Sequence, residues 1–206
     1  MQAHHPRSYA RPVVASLLIA LATQGAAWAG TAVYEFDAAH TSPTFSVRHF
    51  FTKVTGRFDA VRGTVDWNHD DPTRSRVSLS IDVTSVSTGN DKRDEHLRSA
   101  DFFDVEHHPH LTFQSTKIES TERQGHYLVH GDLTMRGVTR QVVVELEVLG
   151  FADMPGMGVR GGFHARTAID RQDFGVSWSR KLDNGGVILA DEVQIDFPIE
   201  VVKKTS

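Results

Sequence analysis

Three histidines crowd around one proline, His107-His108-Pro109-His110, and they are the residues most suggestive of metal chemistry. In an extended chain His108 and His110 point to the same side, a spacing compatible with two imidazole ligands. Protein zinc sites use three or four protein ligands, and no third stands nearby in the sequence. A bare histidine pair of this kind is weak ground for a metal site. Asp37 with His40 and Asp94 with His96 are acid–base neighbours, yet no serine in a strained turn accompanies either pair. The chain lacks a Gly-x-Ser-x-Gly elbow, a His-Glu-x-x-His helix and a phosphate-cradling glycine loop. It has no cysteine, which removes thiol catalysis and thiolate metal sites. No enzyme class and no cofactor is therefore expected.

The elements available to position any site are strands. Val77, Leu79, Ile81 and Val83 alternate with Ser78, Ser80 and Asp82. Val142, Val144, Leu146 and Val148 alternate with Val143, Glu145 and Glu147, and Val193, Ile195, Phe197 and Ile199 with Gln194, Asp196, Pro198 and Glu200. Period-2 patterning of this kind gives each strand one apolar and one wet face. Weaker versions run through 43–51, 54–67, 110–118, 125–135 and 159–169. Turn chemistry separates the strands at Asp70-Asp71-Pro72, Arg123-Gln124-Gly125, Arg136-Gly137, Asp153-Met154-Pro155-Gly156 and Asp183-Asn184-Gly185-Gly186. Eight or nine strands with short connections predict an all-β antiparallel sandwich or closed barrel. The exception is 90–100, polar and without a β-branched residue. Asn90 suits an N-cap, acids stand near the start and Arg98 near the end, which predicts a short surface helix.

Residues 1–29 are not read as fold. Arg7 and Arg11 precede the apolar run 13–22, and Ala27-Trp28-Ala29 supplies small residues for cleavage before Gly30. The run falls short of the ~20 apolar residues that span a bilayer. A secretory signal peptide followed by one domain over 30–206 is the expectation. Cleavage would lower the basic count from 22 to 20 against 26 acids, moving the net charge from -4 to -6. A mildly acidic chain does not suit a nucleic-acid partner, which calls for a basic stripe. An exported chain without disulfides must be held by its core, and the periplasm is the natural compartment.

Several stretches, taken in order, resemble the YceI-like family, the lipocalin-like polyisoprenoid-binding proteins of bacteria. They are Asp37-Ala38-Ala39-His40-Thr41-Ser42 with Phe45-Ser46-Val47-Arg48-His49, then Val54-Thr55-Gly56-Arg57-Phe58, then the long run from Thr88 to Asp104. Leu111-Thr112-Phe113, the run Gly131 to Thr139, Asp170 to Gly175 and Asp191-Glu192-Val193 complete the set. The histidines flanking Pro109 depart from the family's aromatic or small residues. The resemblance implies a lipocalin-like, extended, eight-stranded antiparallel barrel with one short surface helix. Its interior would form an apolar channel for an isoprenoid-type or related amphiphilic lipid, such as a quinone tail. It further implies a periplasmic location, in some relatives a homodimer, and delivery to a membrane cytochrome as one context.

Alternation places Phe45, Val47, Phe51, Leu79, Ile81, Phe113, Val144, Leu146, Phe163 and Ile195 on the inward face, and the resemblance makes them channel lining. Ordinary core packing is the competing role for each, because most inward residues of a small barrel fill it. Lys92, Arg93, Arg98 and Arg48 are candidates to meet an anionic headgroup at the channel mouth. Against this, Asp94 and Arg98 are spaced to pair within the helix. His40 and His49 are expected near the mouth as hydrogen-bonded residues. The chief rival to lipid carriage is a filled barrel acting as an envelope interaction or stress module.

Overall fold

In the computed structural model, which describes residues 29–179 and 188–205, strands follow the alternating stretches. They are β1 Thr31–Phe36, β2 Thr44–His49, β3 Thr52–Phe58, β4 Val61–Asn68, β5 Arg76–Asp82, β6 Val86–Ser87, β7 His110–Ser120, β8 His126–Met135, β9 Val138–Met154, β10 Gly158–Asp170 and β11 Leu189–Lys203. One helix, α1 Asp91–Arg98, stands between β6 and β7. The apolar N-terminal run and the turn at 183–186 lie outside the described residues.

The strands form one antiparallel sheet in the order β1-β4-β5-β7-β8-β9-β10-β11, and β1 pairs back onto β11. Those eight strands close a barrel. Closure leaves no unpaired edge in the ring. The strands β2, β3 and β6 continue the sheet beyond β11. The stretch 54–67, read from sequence as one strand, is two: β3 ends at Phe58 and β4 begins at Val61. There the Phe58 amide still bonds the Pro43 carbonyl, the Ala60 amide goes to the Ser85 hydroxyl, and from Val61 the chain pairs with β5 instead.

β11 is the strand on which closure depends, because it serves two partners along one edge. Residues 189–196 pair with β2, and Val201–Lys203 pair with β1. Pro198 falls in the gap between them, on the same backbone parity as Asp196 and Glu200. Proline has no N–H to offer a ladder, and here the position requires none. Glu200 does need partners. The buried Thr41 hydroxyl donates to its carbonyl at 2.9 Å and accepts from its amide at 3.0 Å. The Asp37 amide also donates to that carbonyl at 2.9 Å, so one side chain and one backbone amide bridge the place where β1 gives way to β2.

Beside that junction Arg160 of β10 donates to Asp37 at 2.6 Å and also pairs with Glu200. His40 Nδ1 lies 3.0 Å from the same Asp37 oxygen, Oδ2, that accepts from Arg160. The cluster ties the 37–43 connection to β10 and β11. It offers two carboxylates and an imidazole within reach of one another, but a guanidinium already occupies the space between the two acids.

The β8–β9 reversal is a two-residue turn in which Arg136 and Gly137 both adopt positive φ, 51° and 73°. Such turns match the twist of the flanking strands.

The Arg160 hydrogen bond, with His40 adding to it, holds the Asp37 carboxyl down at about 2. A carboxylate lowered by folding stabilises above its unfolded pKa and loses that contribution as pH falls through its folded pKa. Asp37→Asn should therefore be less stable than the parent at neutral pH, with the difference shrinking between about pH 4 and pH 2. Urea unfolding at a series of pH values measures this; a difference that stays constant down to pH 2 would contradict it.

Candidate functional site

Inside the barrel the inward residues pack against one another around the wall without filling the middle. They surround a cavity of about 380 Å³ whose wall is almost wholly apolar. That volume lies within the ~300–1,000 Å³ typical of small-molecule sites. Two glycines help keep space under the aromatics. A Cβ on Gly131 would come within 2.4 Å of the Phe113 ring, and one on Gly56 within 2.4 Å of the Phe45 ring. Each ring lies flat over a neighbouring strand because nothing projects from it.

The two ends of the barrel differ. At the end where β4 stops, Trp67, Phe151 and Phe163 pack with ring centroids 5.1–5.9 Å apart, and Tyr127 meets Trp67 at 6.0 Å. Tyr34, fully buried, bonds His69 Nε2 through its hydroxyl at 2.9 Å. Burial raises the Tyr34 hydroxyl pKa and lowers that of the His69 imidazole, so both stay neutral near pH 7. This aromatic cluster is the floor.

The opposite end is the mouth, built by polar groups holding apolar ones. Helix α1 begins at Asn90, whose side chain accepts from the Arg93 amide at 3.0 Å. Its polar residues rivet it to the sheet. Buried Asp94 accepts from the Thr88 amide and hydroxyl, Arg93 donates to the Thr88 hydroxyl and carbonyl, and Arg98 donates to the carbonyls of Thr84 and Val86. The pairing of Asp94 with Arg98 expected from their spacing is absent because both side chains serve these strand-side groups instead. With α1 fixed, Leu97, Phe102 and His96 reach the cavity wall.

Facing α1, residues 175–178 are held by two arginines. Arg171, 3% exposed, donates to the carbonyls of Val176, Trp178 and Ala190 and to Asp191 at 2.5–3.0 Å. Arg136, from its turn, donates to the carbonyls of Gly175 and Ala100, 2.8 Å each. Trp178 is thereby set against Phe102 and His96, with ring centroids 5.2 and 5.0 Å away.

Nine of the ten residues expected to line a channel stand on the cavity wall: Phe45, Val47, Leu79, Ile81, Phe113, Val144, Leu146, Phe163 and Ile195. Phe51 does not; it is 98% exposed. Alternation carried its parity past His49, but β2 ends there, and Phe50 turns the chain with φ 53°. Of the four cations considered for a headgroup only Arg93 reaches the wall, whereas Arg48 and Lys92 are exposed and Arg98 is spent on backbone. His49 lines the cavity, while exposed His40 sits at the β1–β2 junction. His107 bonds Asp104, His108 lies against Gly137, and His110 opens β7. These three histidines form no ligand cluster among the described residues. The turn that ends at His107 separates that residue from His108 and His110. Sequence reasoning missed Trp178 and Arg171, which lie outside any alternating run.

A closed antiparallel barrel with an apolar cavity, an aromatic floor and a polar-framed mouth defines a lipocalin-like fold. Residues 34–201 match the YceI-like domain, and the chain belongs to that family. A UPF0312 protein of Shewanella baltica strain OS185 is 32% identical over 191 residues, 92% of this chain and 94% of the relative. One from Pseudomonas aeruginosa strain LESB58 is 30% identical over 186 residues, 90% and 93% of the two chains. Among solved structures, BcnA of Burkholderia cenocepacia superposes with a TM-score of 0.71 at 25% identity, covering 80% of this chain and 98% of its own. A polyisoprenoid-binding domain from Saccharophagus degradans shares the fold with a TM-score of 0.65 at 18% identity, covering 83% and 98%.

Arg171→Met keeps the length of the side chain but leaves the Val176 and Trp178 carbonyls without their donor. It should cost roughly 3 kcal/mol and speed amide hydrogen exchange at 175–178 and 189–191 more than elsewhere. Uniform exchange changes would show that Arg171 does not specifically hold the mouth.

Proposed function

We propose that this protein binds a long-chain isoprenoid-type lipid in the barrel cavity and carries or sequesters it in the periplasm, without catalysing a reaction on it. The observation that carries the reading is the cavity itself, about 380 Å³ of apolar space open beyond the packing needs of the core. The ligand class is also that of the Saccharophagus degradans domain, a polyisoprenoid-binding protein of the same fold. Export follows from the signal-like residues 1–29.

The energetics suit a chain without strong polar anchors. Each methylene buried is worth roughly 0.8 kcal/mol, so ten of them outweigh a loss of several kcal/mol in translational and rotational freedom. Orientation follows from the ends. The aromatic floor accepts only the apolar tail, and Arg93, Thr88, His96 and His49 stand near the mouth, where a quinone ring or another polar head would remain close to water.

The filled-core alternative finds less support, since a filled barrel would hold no such volume. The outer face carries Glu145, Glu147 and Glu192, while Val144, Leu146, Val193 and Ile195 on the same strands line the interior. A bilayer-spanning barrel requires the reverse arrangement. A homodimer and a cytochrome that receives the lipid are readings suggested by the family alone.

Ala165, 7% exposed, lines the cavity halfway along β10. Ala165→Trp should fill the channel and weaken uptake of a fluorescent prenyl lipid at least tenfold, while the circular dichroism spectrum stays that of the parent. Unchanged uptake in a folded variant would place the lipid outside the cavity and defeat the proposal.

A further inference from the structure

The residue that sequence patterning misplaced is informative in its own right. Phe51 is 98% exposed at the tip of the β2–β3 hairpin, the most exposed large apolar residue among those described. Its position is held by the backbone. Phe50 adopts φ 53°, a conformation unfavourable for a bulky side chain. It is kept there by the hydrogen bond its N–H donates to the Ile188 carbonyl at 2.9 Å and by an edge-on contact with His49 at 4.8 Å. A turn with glycine at this place would avoid the strain. The strained phenylalanine instead aims its neighbour away from the protein.

The tip stands at the cavity entrance. His49, Val47 and Val54, on the two strands leading to it, all line the wall. Its charge is opposite to that of the chain as a whole. Residues 38–58 contain Arg48, Lys53 and Arg57 and no acid, in a protein with a net charge of -4. Arg57 is paired with Asp59, but Arg48 and Lys53 bind only the Phe50 carbonyl and the Gln194 amide oxygen. Neither has a carboxylate partner among the described residues.

We propose that the β2–β3 hairpin is a membrane-docking tip, in which Phe51 enters the headgroup region of an anionic bilayer and Arg48 and Lys53 meet its phosphates. An aromatic side chain between basic residues is the composition that interfacial anchors use. Each cation near an anionic surface adds to the attraction, which salt weakens. Docking there would bring the cavity mouth to the surface from which a lipid chain must leave. A second copy of this chain fits the tip less well. A stable dimer buries ~800 Å² on each partner, whereas one phenylalanine offers ~200 Å² and its flanks are like-charged.

The purpose of docking rests on the lipid-carrier reading, but the contact can be tested apart from it. Co-sedimentation with mixed phosphatidylethanolamine–phosphatidylglycerol vesicles should retain the purified protein, and phosphatidylcholine vesicles should retain much less. Phe51→Ser should lower partition onto the anionic vesicles about tenfold, the scale of withdrawing one aromatic ring from the interface. Arg48→Glu with Lys53→Glu should abolish partition. Because Phe51 touches no wall of the cavity, Phe51→Ser should still take up a prenyl lipid delivered from detergent as the parent does. Equal vesicle partition by Phe51→Ser and the parent would overturn the proposal. So would a variant whose sole change is from dimer to monomer in sedimentation velocity, which would make the occupant a second copy. Loss of detergent-delivered uptake in the parent, with vesicle partition still dependent on Phe51, would defeat the carrier reading and leave the docking tip standing.

Discussion

A barrel exists only if every backbone edge finds a partner around the ring, and here the ring is completed on β11, whose single edge is shared by two short strands. The handover leaves a gap in the ladder, and sequence and structure treat it consistently. Proline removes the donor at position 198. The Thr41 hydroxyl bonds both the amide and the carbonyl of Glu200, and the Asp37 amide adds a second bond to that carbonyl. Arg160 pairs with the two acids that converge beside it. Because β2 then runs on from this junction along β11 to His49, the same handover sets the β2–β3 hairpin at the mouth. The position of the opening is thus a consequence of how the sheet closes.

Closure also explains how the cavity can stay open. In a barrel the walls are held by the ladder and not by contact across the middle, so inward side chains need not fill the interior. The floor is nonetheless packed, where Trp67, Phe151 and Phe163 converge. Above it aliphatic and aromatic side chains share the wall, and the Phe45 and Phe113 rings lie over glycines. At the mouth, three arginines hold the covering segments through backbone carbonyls: Arg98 for the helix, Arg136 and Arg171 for 175–178. Arginine suits this work, since its planar group offers several donors in fixed directions.

Much of this was legible in the sequence, for identifiable reasons. Residues 193–199 alternate strictly, and all four apolar members point inward as the pattern requires. Asn90 caps α1 where expected, because a side-chain acceptor followed by polar helix formers has few other uses. Phe51 failed because period-2 parity holds only while the strand lasts, and the reversal at Phe50 carries no glycine or asparagine to announce it. The break between β3 and β4 was hidden likewise, in Asp59-Ala60. The Asp94–Arg98 pair failed because spacing along a helix says nothing about which side faces the sheet. Arg171 and Trp178 act from irregular segments, where the pattern carries no signal.

The central claim, that the cavity is a lipid site, is tested most directly by native mass spectrometry of the protein purified from its own host, followed by organic extraction. The account predicts one bound lipid per chain, with a mass that extraction assigns to a long prenyl or related chain and that collisional activation releases intact. A bare protein mass, unchanged after incubation with quinones, prenyl lipids and fatty acids, would contradict it.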